Sequence, residues 1–256
     1  MKKLINNTSK QQFNKFSENR WLAIGLITLV SMGVYYNSLK APFILDDKPK
    51  IVNNPDIKKL DNIKTKLIYP YSKKFKTFKR NDPSRPLTYL TFTLNYHFGK
   101  LNVFGYHLFN LVLHILNSIL VFLLAGKVFF YTINRKSFTH LSFFIAIFFA
   151  LHPANVNTVT YIFARSGELA TLFYFSSLLF FLMAIEKNKN FYILSLVSYI
   201  LSLLSKPIAV TFPIILFTFD YIFLCEYKLI KIKERKYYHI SFWIILLICN
   251  ALNRCA

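Results

Sequence analysis

Residues 106–131 read YHLFNLVLHILNSILVFLLAGKVFFY, twenty-six positions with one Lys or Arg, Lys127, and no acid. A block this apolar and this long suits a helix crossing a hydrocarbon layer of about 30 Å, which takes about 20 residues. It is not uniformly apolar. His107, Asn110, His114 and Asn117 follow one another at intervals of three, four and three, which lines them along one helix face. At 1.5 Å per residue the stripe reaches roughly 15 Å into the layer. Polar groups at that depth either hydrogen-bond to neighbouring helices or line a watered cavity, and both readings stand here. Zinc is disfavoured, because His107 and His114 are seven residues apart and no Cys or acid completes a set.

Outward from this run the same pattern repeats. Further apolar runs cover about Trp21–Asn37, Phe138–Leu151, Glu168–Ile185, Phe191–Leu204, Ile208–Leu224 and Ile240–Leu252. With 54% hydrophobic and only 17% charged residues, the 256-residue chain lacks the polar surface of a soluble domain. The apolar residues fall in blocks and not at a 3.6 period, so the helices are apolar all round. The expected fold class is an all-α polytopic membrane protein of about seven spans. The formal charge of +21 raises nucleic acid as a partner. However, the Lys and Arg residues lie in loops between apolar runs, which fits membrane topology and anionic lipid headgroups instead. Cys225, Cys249 and Cys255 show no paired or metal-like spacing. Tyr35-Tyr36-Asn37 follows the first run where a signal peptide would place small residues, so an uncleaved span is expected.

Positive charge sets the topology. With the amino-terminus inside, seven alternating spans put Lys127 to Lys136, Lys187 to Lys189 and Lys228 to Lys236 on that same cytoplasmic side. The other side receives the long loop Lys40–Gly105, the turn His152–Gly167, and the turn at Ser205-Lys206-Pro207. Asp46, Asp47, Arg85, His152, Arg165, Glu168 and Lys206 then share one outer face. Adjacent carboxylates such as Asp46 and Asp47 raise each other's pKa unless something compensates, which makes the pair a candidate base. Arg165 suits bidentate phosphate binding and Lys206 supplies a point charge. The pair could also hold a divalent cation, although two carboxylates alone specify none.

Within the long loop, lysines mix with aromatics from Ile57 to Arg80, and the chain then runs Pro86-Leu87-Thr88-Tyr89 through Phe98. This mixture suits helices lying in the membrane interface. The serines at Ser195, Ser198, Ser202 and Ser205 form a small-residue face for close helix packing. Asp220 lies near the inner end of the sixth run as a relay acid or a snorkelling cap. Pro213 is expected to kink that helix.

Several landmarks occur in order: Asp46-Asp47 with Asn54-Pro55, Arg85-Pro86-Leu87-Thr88, Asn95-Tyr96, and Gly105-Tyr106-His107 leading into Asn110 and His114. Ala150-Leu151-His152-Pro153, Arg165, Ser205-Lys206 and Pro213 with Asp220 follow. The series resembles the transmembrane and tetratricopeptide-repeat O-mannosyltransferases and their bacterial relatives, within the GT-C glycosyltransferase superfamily. The resemblance implies a GT-C-like bundle with a large first outer loop carrying interfacial helices. It implies an enzyme that moves a hexose, mannose above all, from a polyprenyl or dolichyl phosphate carrier to a protein hydroxyl on the non-cytoplasmic side. Asp46 or Asp47 would be the base, with Asp46 favoured as the first member of the pair. Arg85, Arg165 and Lys206, with His107 and His152, would bind the lipid phosphate. No cofactor is implied with certainty.

Family members usually carry an acid after the lysine of the fifth-span turn, where this chain has Pro207. They also continue into further spans and a tetratricopeptide array. The expectation is therefore a cytoplasmic tail at 1–20, a truncated membrane domain at 21–252 with its outer loop at 38–105, and a short tail at 253–256. The membrane would be a bacterial inner membrane or, in a eukaryote, that of the endoplasmic reticulum. Two other classes compete: a non-catalytic membrane module that binds lipid, and a transporter. Transporters place charges mid-membrane on several helices, a position that only Asp220 approaches.

Overall fold

A computed structural model describes residues 20–58, 82, 84–132, 139–225 and 227–254. The tail before Arg20, the lysine-rich stretch 59–81, residues 133–138 and the last two residues, with Cys255, lie outside the described residues. Every described regular element is helical, and all seven apolar runs form helices. These are α1 (20–35), α3 (Val103–Thr132), α4 (Thr139–Leu151), α6 (Arg165–Glu186), α7 (Asn190–Ser205), α8 (Phe212–Phe219) and α10 (Lys236–Arg254). Three more helices lie between them: α2 (Pro86–Gly99), α5 (Val156–Thr160) and α9 (Leu229–Glu234).

Four helical stretches are long and apolar enough to cross a membrane: Arg20–Lys40, Val103–Thr132, Ile162–Glu186 and Pro207–Leu224. A fifth is the bent pair Thr139–Leu151 and Pro153–Thr160, which meets at 49°. Asn190–Ser205 and Lys236–Cys249 are shorter apolar helices that complete the bundle. The protein is an all-α, multi-pass membrane protein. In such a chain each backbone amide must find its partner within the helix, which is why apolar runs convert so directly into helices.

Local chemistry sets the ends. Pro86 opens α2 where its missing N–H costs nothing, after a turn in which Asp82 accepts Ser84 N–H at 2.9 Å. Asn102 accepts Phe104 N–H at 3.0 Å and starts α3. Pro153 forces His152 into extended backbone and stops α4. Pro213 does not kink the sixth span. It sits in the first turn of α8, just after the 3₁₀ turn Pro207–Thr211, where proline is tolerated.

Packing divides into layers. Ala23 and Ile27 of α1 pack on Phe122 of α3 and Ala146 of α4. Phe181, Leu182, Tyr199, Phe212, Leu216 and Phe242 join α6, α7, α8 and α10. Between α6 and α7 the serines do the work expected of small residues. Ser177 Oγ donates to Ser195 O at 2.8 Å, Ser195 Oγ donates to Ser177 O at 2.7 Å, and Ser202 Oγ donates to Ala170 O at 2.8 Å.

At one end of the bundle, Lys127 and Tyr131 of α3 meet Glu186, the last residue of α6. Asp220 lies toward that end and neither snorkels nor caps. It is fully buried, pairing with Arg235 at 3.0 Å and His239 at 2.7 Å. At the other end Ile51, Ile57, Tyr89, Phe92, Tyr106 and Ile162 form a separate small core. The described part of the long loop is therefore folded against the bundle. Helix α2 buries Thr88, Tyr89 and Phe92 against protein while Phe98 stays 84% exposed, so only part of it is free for the interface.

Candidate active site

The two neighbouring acids part company. Asp47 is buried, with Oδ2 accepting Ile44 N–H at 3.1 Å and Oδ1 accepting Phe163 N–H at 2.8 Å. It clasps the first outer loop to the turn before α6. Burial pushes its carboxyl above the ordinary value, against the pull of those two N–H groups. Asp46 is exposed, and its backbone N–H donates to the hydroxyl of Tyr161 at 3.2 Å. Partial burial, then the neighbouring Asp46 carboxylate, push the Tyr161 hydroxyl up to about 12.

The turn that receives both acids is itself held from below. Asn110 Nδ2 donates to the carbonyls of Tyr161 and Ile162, each at 3.3 Å, while Asn110 Oδ1 accepts Arg165 Nε at 2.8 Å. Arg165 has no exposed surface. Its Nη1 donates to Asn95 Oδ1 at 2.5 Å and Thr91 Oγ1 at 3.3 Å, and its Nη2 donates to the Tyr106 carbonyl at 2.9 Å. The guanidinium also lies 4.5 Å from the ring centres of both Phe92 and Phe109. A side chain with four donors engaged and aromatic faces beside it is a rivet joining α2, α3 and α6. The phosphate-binding role expected of Arg165 meets a guanidinium with no open face.

The other expected cations reach adjacent residues. Arg85 pairs with Asp82 at 3.1 Å, keeps 26% of its side chain exposed, and reaches Ser166 Oγ at 3.4 Å. Lys206 approaches the next residue, its Nζ 3.8 Å from where a Cβ on Gly167 would stand. Helix α2 is tied to this same corner by Thr88 Oγ1, which donates to Ser205 O at 3.0 Å. The three segments expected to share an outer face thus converge at one end of the bundle.

The histidines hold structure together. His107 is buried and its Nε2 donates to Ala41 O at 3.0 Å, tying α3 to the start of the acid loop. His152 Nδ1 accepts Ala154 N–H at 3.2 Å and caps the turn at Pro153. Deeper in the stripe, His114 Nε2 donates to Ala150 O at 3.0 Å and its Nδ1 lies 3.4 Å from Glu168. Asn117 donates to both the carbonyl and the carboxylate of Glu168. Every member of the stripe bonds a neighbouring segment, so it is glue. Glu168, expected on the outer face, is buried one turn inside α6.

Both Asp47 oxygens accept backbone N–H groups. Among the described residues no group of three His, Cys, Asp or Glu side chains is arranged to hold a metal ion.

No family model matches the chain, and no solved structure matches it. Curated proteins do. Protein O-mannosyl-transferase F38B6.6 of Caenorhabditis elegans is 32% identical over 188 residues, 71% of this chain and 26% of its own length. Protein O-mannosyl-transferase TMTC3 is 33% identical over 157 residues in Homo sapiens and 31% over 166 in Mus musculus. Those matches cover 61% and 64% of this chain, and 16% and 17% of the relatives. The chain is a homologue of the protein O-mannosyl-transferases. It spans about a quarter or less of the length of these relatives.

Two contributors, Tyr161 and Asn95, are not marked as such by the sequence of this chain. Asn95 was visible as a landmark before α3, but nothing local marks it as a guanidinium acceptor. Tyr161 carries one faint signal: it is the aromatic residue at the break between two short helices, where a side chain is free to reach a neighbouring loop.

Proposed function

We propose that this chain carries the catalytic end of a membrane glycosyltransferase. It moves a hexose, mannose by analogy with its relatives' names, from a polyprenyl or dolichyl phosphate to a protein hydroxyl. The supporting observation is that acid and cations hang on one short stretch, residues 161–167. Asp46 bonds Tyr161 at its start, and Arg85 and Lys206 approach Ser166 and Gly167 at its end. Six steps of mixed 3₁₀ and α rise place those anchor points about 10 Å apart along the backbone.

In this reading Asp46 takes the proton of the acceptor hydroxyl as that oxygen bonds to the sugar's anomeric carbon. The bond from that carbon to the phosphate oxygen breaks, and its electron pair leaves with the lipid phosphate. Arg85 and Lys206 meet the growing charge, the electrostatic share that usually dominates such a transfer. Asp47, Arg165, His107 and His152 hold the frame. The lysines at the opposite end of the bundle, Lys127, Lys187 and Lys228 among them, favour a cytoplasmic amino-terminus and a non-cytoplasmic reaction. The membrane is a bacterial inner membrane or that of the endoplasmic reticulum.

The test is transfer of labelled mannose from a mannosyl-phosphate polyprenol to an acceptor peptide in membranes containing the chain. Transfer by wild type and its loss in Asp46→Asn are expected. Equal rates in the two would refute the assignment of the base, and no transfer by wild type would refute the activity.

A further inference from the structure

We infer that Tyr161 is a positioning residue for Asp46, fixing its carboxylate over the 161–167 stretch by a hydrogen bond from the phenol. The inference rests on the assignment of Asp46 as base and adds how that base is held. Tyr161 is fixed at its backbone on three counts. Its N–H donates to Asn157 O at 3.1 Å, and its carbonyl accepts Ala164 N–H at 3.1 Å and the Asn110 amide at 3.3 Å. Its ring rests beside Phe163, centres 6.5 Å apart. The ring therefore projects from a rigid base toward the acid loop.

At its far end the phenol oxygen accepts the Asp46 backbone N–H and still has one proton to give. The carboxylates acting on it are those of Asp46 and Asp47. Asp46 adjoins the phenol, its own backbone N–H donating to that oxygen at 3.2 Å, and its side chain is the one that hydrogen-bonds the hydroxyl. With its hydroxyl pushed up to about 12, Tyr161 keeps that proton across the usable pH range and acts as a donor throughout. An exposed carboxylate on a loop otherwise turns freely about its side-chain bonds. A donor on a second, braced segment restrains it, and positioning of this kind affects rate more than substrate affinity.

The test compares wild type, Tyr161→Phe and Asp46→Asn in membranes supplied with the mannosyl-phosphate polyprenol, with 3-fluorotyrosine placed at 161 as a fourth protein. Tyr161→Phe keeps the ring and should lower kcat about tenfold with the KM for the lipid donor unchanged. Losing a donor to a carboxylate disfavours its ionised form, so the acidic limb of the pH–rate profile should move to higher pH. The fluorinated phenol is a stronger donor and should move that limb the other way. A purely structural role would scale the whole profile down without moving it, and would overturn the inference. A native rate in Tyr161→Phe beside a dead Asp46→Asn would overturn it too, while leaving the base in place. Full activity in Asp46→Asn would overturn the base assignment itself.

Discussion

Replacing Arg165 separates a rivet from a phosphate ligand. In Arg165→Met the acceptors at Asn95 Oδ1, Asn110 Oδ1 and the Tyr106 carbonyl lose their donors, and the Phe92 and Phe109 faces lose the cation between them. Each buried acceptor left unpaired costs about 1–3 kcal/mol, and each cation–π contact contributes about 0.5–2 kcal/mol. Removing a charge from the interior offsets part of this. The net loss should be about 3–5 kcal/mol, or a fall in Tm on the order of 10 °C for a domain of this size. Arg165→Lys should do nearly as badly, because a single ammonium cannot span acceptors on two helices. The assay is thermal unfolding of the purified protein in lipid nanodiscs, read by tryptophan fluorescence. Native melting in both variants, with only a raised KM for the lipid-linked donor, would refute the rivet and restore Arg165 as a ligand.

Lys206→Ala and Arg85→Ala should each raise the KM for the lipid-linked donor by about 10–100-fold, the range of a charge-assisted hydrogen bond, with melting little changed. Donor titration in membranes checks this. Asp47→Asn should lose about 1–3 kcal/mol, because one carboxamide oxygen replaces two carboxylate acceptors. Since the folded-state pKa of Asp47 is raised above 3.8, the native state binds its proton first. Its contribution to stability should therefore rise as pH falls from the raised value toward 3.8, an increment absent from Asp47→Asn in melting curves across pH. Ser195→Leu should force α6 and α7 apart at a cost of about 1–3 kcal/mol, seen as a lower Tm with an unaltered donor KM.

The helices were legible because apolar runs in a membrane chain have no other way to satisfy their amides. Their ends were less so. A hydropathy reading stops the fourth span at Glu168, yet α6 begins at Arg165, because uncharged acceptors within residues 91–110 hydrogen-bond that guanidinium and let it join the helix. The difference between Asp46 and Asp47 was beyond any local reading, since adjacent acids look alike until Phe163, 116 positions on, offers its N–H to one of them. Asp220 reads as a lone intramembrane acid because Arg235 and His239, which neutralise it, come from beyond the next turn. The polar stripe on α3 was visible as a periodicity, but whether it bonds helices or water depends on carbonyls at Ala41, Ala150 and Tyr161, exposed by the ends of other elements.

The way Arg165 is enclosed has a bearing on biogenesis. The chain leaves the ribosome amino-terminus first, so α2 and α3 exist before residue 165 is made. Until it arrives, the slot between Phe92 and Phe109 presents amide and carbonyl oxygens with no cation to answer them. The early helices can enter the bilayer one by one, but this end of the protein closes only when α6 delivers its first residue.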